Sequence, residues 1–81
     1  MKIRLLYFAV LRDIIGRSEE VVETPEGTRA QELWNGLRNK HHALAGYDKP
    51  PMTAVNESYA PADQILRDGD EVAFIPPVAG G

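Results

Sequence analysis

Eighty-one residues, 43% of them apolar, are enough for one small globular domain and too rich in core formers for a disordered tail protein. A net charge of −3 without a basic cluster argues against nucleic acid as a partner. The lack of a bilayer-length apolar run or secretory segment points to a cytoplasmic chain that engages no membrane. With no cysteine, disulfides, thiolate zinc sites and cysteine nucleophiles are all excluded, so any sulfur handled here cannot ride on a thiol of the chain itself.

In chain order, Ile3, Leu5 and Tyr7 alternate with Lys2, Arg4 and Leu6, which predicts a first strand over residues 3–8 with one buried face. Residues 9–15 follow as a short helix stopped by Gly16, and residues 19–23 as a second strand paired with the first. The main helix is expected to start at Thr28 as N-cap, with Gln31 as its capping-box partner, and to end near 39–42. Ala30, Leu33, Trp34 and Leu37 share one helical face. Gly36 weakens the interior by about 1 kcal/mol, so packing must hold the helix. Pro50 and Pro51 place a loop over 48–51. Strands are expected over 52–56 and 57–60, then a tight turn at Asp68-Gly69-Asp70 and a last strand over 71–75 with Val72 and Phe74 inward. Pro76 ends that strand because it has no N–H for the ladder. The order β–β–α–β–β–β fits an α+β domain with one main helix laid across a mixed sheet.

Few side chains suggest chemistry of their own. His41 and His42 are neighbours in sequence, point about 100° apart on a helix and read as a helix end suited to the negative dipole rather than a metal site. Ser18 and Ser58 fall where turns or strand edges are expected, and Trp34 reads as core. The strand alternation instead leaves Leu6, Phe8 and Ile75, with Tyr59 beside them, on the sheet face away from the helix. Clustered exposed apolar groups of this kind mark a partner site, unless a loop or the short helix covers them.

The last six residues, Pro76-Pro77-Val78-Ala79-Gly80-Gly81, carry no charged side chain. Glycine makes up about 7% of average sequence, so a closing pair arises by chance roughly once in 200 chains. Extended, these residues reach at most about 20 Å, and a Cβ-free end fits a narrow channel that presents the Gly81 carboxylate at its far side. On the glycines alone, a frayed terminus or an expression scar stands equally open.

Strand order, length, the Asp68-Gly69-Asp70-Glu71-Val72 turn and strand, and the double glycine resemble the ubiquitin-like β-grasp sulfur carriers. The run from Asp68 to Gly81 is similar to that of the molybdopterin synthase small-subunit family, and Ala54-Val55-Asn56, Phe8-Ala9, Arg12 and Gly16 fit it as well. Where that family often has an aromatic before the prolines, this chain has Ile75. The resemblance implies a β-grasp domain over 1–75 and a flexible carrier tail over 76–81. It implies that an E1-like adenylyltransferase consumes ATP to adenylylate Gly81 and that a sulfur donor protein converts it to a thiocarboxylate. Pro76, Pro77, Val78, Ala79 and Gly80 would then thread into the large subunit of the synthase, in a heterotetramer, to deliver sulfur to cyclic pyranopterin monophosphate. Phe8, Arg12, Tyr59 and Ile75 are the implied partner contacts. No permanently bound cofactor, no metal and no catalytic side chain of the carrier's own are expected. A carrier for thiazole synthesis, a ubiquitin-like protein modifier and a non-covalent β-grasp binding module remain as alternatives.

Overall fold

The structure, a computed structural model, describes residues 1–47 and 51–75. The tail expected at 76–81 and most of the loop expected at 48–51 lie outside the described residues. The chain runs β1 (Lys2–Tyr7), α1 (Ala9–Ile15), β2 (Glu19–Glu23), α2 (Ala30–Lys40), a single 3₁₀ turn (His42–Leu44), β3 (Met52–Val55), β4 (Ser58–Ala60) and β5 (Glu71–Ile75). The strands lie in the order β2-β1-β5-β3-β4. Only β1 and β5 are parallel; the other neighbours are antiparallel. The last strand among the described residues is therefore the middle strand of the sheet.

The core forms where the expected apolar faces meet. Ile3, Leu5 and Tyr7 of β1 and Val72 and Phe74 of β5 are buried against Ala30, Trp34 and Leu37 of α2. The Trp34 ring meets Phe74 at 5.3 Å and the Tyr47 ring edge-on at 6.3 Å, both within the range where aromatic pairs attract. Leu11 of α1, with Leu66 and Leu44 from segments without regular periodicity, completes the cluster. Gly16 ends α1 at φ +87° and Gly69 makes the turn before β5 at φ +87°, both in the left-handed region that glycine enters freely.

The helix start differs from expectation. Arg29, not Thr28, is the N-cap, and its N–H donates to the Glu32 carboxylate at 2.9 Å. Thr28 is occupied elsewhere: its hydroxyl donates to the Pro25 carbonyl at 2.7 Å, and its carbonyl accepts from the Leu66 N–H at 2.9 Å. The first free helical N–H groups find backbone partners, Ala30 donating to the Gln64 carbonyl and Gln31 to that of Ala62. Tertiary contact with the 61–66 segment thus replaces the side-chain cap. At the β3–β4 hairpin, Asn56 and Glu57 have φ of +51° and +70°, so they form a two-residue turn of the primed kind and belong to neither strand. His41 is the half-buried C-cap of α2, rather than an exposed helix end. Among the described residues, no helix is long and apolar enough to cross a membrane.

Candidate functional site

Period-two alternation decides what stands on the face away from α2. The register sets Leu6 beside Ala73, Ala73 beside Ala54 and Ala54 beside Tyr59, an apolar row crossing β1, β5, β3 and β4. Phe8, Ile75 and Met52 lie along one side of the row, and Ile75 pairs with Met52. The two alanines at the centre are 8% and 9% exposed, whereas Phe8 is 48% and Tyr59 73% exposed. Small residues framed by large ones leave a hollow of about 320 Å³, lined by Leu6, Phe8, Ala54, Tyr59, Ala73 and Ile75, with the carboxylates of Glu57 and Glu71 at its margin. Neither α1 nor a loop removes Phe8 and Tyr59 from solvent.

The other side of this face is charged. Arg4 bonds Glu19 at 2.7 Å and lies 3.3 Å from Glu71. The hydrogen bond to Glu19, and then the attraction of Glu19 and Glu71, raise the Arg4 pKa above its ordinary value. Glu71 is thereby occupied, while Glu57 makes no hydrogen bond or ion pair among the described residues.

A set of bonds fixes β5 within the sheet. The Asn56 side chain accepts from the Glu71 N–H at 3.0 Å and donates to the Asp70 carboxylate at 2.9 Å, while its own N–H donates to the Glu71 carbonyl at 2.8 Å. Asp68 accepts from the Lys2 N–H at 2.7 Å. The start of β5 is therefore anchored to both neighbouring strands, which determines where Ile75, its last residue, emerges.

Of the residues predicted as partner contacts, Phe8, Tyr59 and Ile75 come together in the hollow. Arg12 does not line it; it is exposed on α1. Ala54 and Ala73 enter the sequence reading only within the runs that carry the family resemblance and not as partner contacts, because alanine carries no signal of its own; strand pairing makes them the floor of the site. Gly81 and residues 76–80 lie outside the described residues, so the tail positions have no placement here.

Residues 5–81 match the ThiS family. Among relatives, the chain is 40% identical to the molybdopterin synthase sulfur carrier subunit of Chlamydomonas reinhardtii, over 100% of both chains. It is likewise 40% identical to that of Mycobacterium tuberculosis, over 100% of this chain and 99% of the other. The solved structure of a Pyrococcus furiosus protein, 31% identical, superposes with a TM-score of 0.80 over 96% of this chain and 99% of that one. The mixed five-stranded sheet with α2 packed across it is the ubiquitin-like β-grasp fold. With the family match covering nearly the whole chain and full-length relatives sharing one description, this chain belongs to the ThiS family of sulfur-carrier proteins.

Proposed function

We propose that this chain is the sulfur-carrier subunit of a molybdopterin synthase, and that Gly81 is the group that carries the sulfur. The reading rests first on full-length relatives bearing that description. The structural observation that carries it is the position of Ile75, which both lines the apolar hollow and is the residue from which the tail departs. A partner seated on the hollow therefore lies next to the tail's root. Docking energy spent there positions a reacting atom up to about 20 Å away.

In this mechanism, an E1-like adenylyltransferase joins the Gly81 carboxylate to the AMP moiety of ATP and releases pyrophosphate. A free carboxylate oxygen is a poor leaving group, and the acyl phosphate bond removes that obstacle. Sulfide-level sulfur from a sulfur donor protein then displaces AMP, a C–S bond forming as the C–O bond to the phosphate breaks, and leaves a thiocarboxylate. The loaded carrier docks on the large subunit, threads its tail into that subunit's active site and transfers the sulfur to cyclic pyranopterin monophosphate, water taking the place of sulfur on Gly81 to restore the carboxylate. Two rounds build the dithiolene. The carrier contributes positioning, and the partner contributes acid–base groups and electrostatic stabilisation. All of this takes place in the cytoplasm.

The test is intact-mass measurement after incubation with the activating protein, ATP and the sulfur donor. The expected result is one oxygen replaced by one sulfur, confined on fragmentation to the C-terminal residue. An unchanged mass, or sulfur attached elsewhere, contradicts the reading.

A further inference from the structure

The sheet has a second surface that the carrier chemistry does not use. β2 is an edge strand. Its bonds to β1 involve residues 18 and 24, where Tyr7 donates to the Ser18 carbonyl at 2.8 Å and Thr24 donates to that of Met1 at 2.9 Å. By the two-residue period, residues 20 and 22 also face β1, and the backbone N–H and C=O groups of Glu19, Val21 and Glu23 point away from the sheet. Among the described residues nothing pairs with them, and Val21 is 63% exposed.

Alongside this open edge runs a groove of about 190 Å³ between β2 and α2, floored by Leu5, Val22, Leu33 and Leu37. Its helical wall contains Gly36. A Cβ at that position would meet nothing within 4 Å, so no close packing within the described chain requires glycine there. Glycine inside a helix costs about 1 kcal/mol relative to alanine. A residue that weakens its own helix, and whose missing side chain widens a groove beside an unpaired strand, allows another backbone to approach closely.

Charge narrows the choice of occupant. Glu20, Glu23 and Glu32 stand on the groove's rim against one cation, Lys40. A second copy of this chain pairing edge to edge would set the glutamates of one β2 against those of the other, which repels. An acidic segment is disfavoured for the same reason. We infer that the β2 edge and the β2–α2 groove form a second docking surface, for an extended segment of a partner protein in which apolar and basic residues alternate. The segment adds to the sheet as a sixth strand, its apolar side chains entering the groove beside Gly36 and its lysines or arginines, on the opposite face, standing beside Glu19 and Glu23. This surface lies at the opposite edge from Tyr59 and does not depend on the sulfur-carrier reading.

The probe is a short peptide alternating valine and lysine, titrated into the full chain and followed by amide NMR. The expected result is saturable shifts at Glu19, Val21, Glu23 and Gly36, with slowed hydrogen exchange at Glu19, Val21 and Glu23. A peptide of equal charge with proline at alternate positions, unable to donate to the edge, should bind at least tenfold more weakly. Gly36→Gln lays a side chain along the groove and is a better helix former, so it should raise thermal stability while weakening the peptide at least tenfold. Equal binding of the proline peptide, undiminished binding to Gly36→Gln, or shifts centred on Leu6 and Ala73 each overturn the proposal. Loading of sulfur on Gly81 should be the same in wild type and Gly36→Gln, which separates this surface from the carrier function.

Discussion

Tyr7 shows how one side chain serves two layers of the structure. Its ring is buried in the core, while its hydroxyl donates to Glu20 at 2.7 Å. Burial first, and then the bond to Glu20, push its pKa well above the ordinary value of 10.0. A raised pKa means the folded state holds the proton longer than the unfolded chain. The resulting stability is complete below about pH 10 and is lost progressively as pH rises above it. Tyr7→Phe should therefore lower stability by about 1.5–3 kcal/mol at neutral pH, the worth of a hydrogen bond to a carboxylate. Its stability should also fall less steeply than wild type above pH 10, as read by denaturant midpoints across that range; parallel curves would mean that Tyr7 does not supply this dependence. Glu57 is a different case. At φ +70° it occupies a turn position where glycine carries no Cβ penalty. Glu57→Gly should stabilise the domain by about 0.5–1 kcal/mol in equilibrium unfolding. A loss of stability would show that the carboxylate makes a contact worth more than the backbone strain.

At the scale of elements, α2 was the most legible part of the sequence, because its apolar spacing names its own buried face. Its start lies one residue beyond the expected cap for a physical reason. Thr28 is a good cap locally, but the 61–66 segment supplies backbone acceptors to Ala30 and Gln31, and nothing in residues 28–31 reveals that. The same limit hid Leu66, which is buried from an irregular segment without periodicity. Within α2 the structure also separates two residues that spacing treats alike. Trp34 is buried between Tyr47 and Phe74, whereas Leu33 is only partly covered. Trp34→Ala should cost about 3–5 kcal/mol, a large part of the stability of a domain this small. Leu33→Ala should cost about 1–2 kcal/mol. Equal losses at the two positions, measured from chemical denaturation, would contradict this placement of the helix.

At the scale of the whole molecule, the proposed function divides recognition from chemistry. The fold places an apolar hollow on the open face of the sheet and ends its central strand at the hollow's border, while the proposed reacting atom belongs to the last residue of the chain. The alternation of β1 and β5 is enough to bring Phe8 and Ile75 to one face, whereas the place of Tyr59 beside them follows from the pairing of β4 with β3. The alanine floor required the pairing of β5 with β3, a long-range contact that no local pattern encodes. Phe8→Lys should abolish capture by the large subunit without changing the far-ultraviolet circular dichroism, since the ring is exposed; loss of the folded spectrum would place Phe8 in the core instead. The central claim, that Gly81 delivers sulfur at a fixed reach from the hollow, is tested most directly by changing that reach. Deleting Gly81, or adding one residue after it, moves the terminal carboxylate by about 3.5 Å. A misplacement of about 1 Å can already cost a hundredfold in rate. In a reconstituted reaction with purified large subunit and cyclic pyranopterin monophosphate, thiocarboxylated wild type should yield molybdopterin. Both variants should bind the large subunit as well as wild type does and form product at least about a hundredfold more slowly. Wild-type rates from the chain lacking Gly81 would contradict the account.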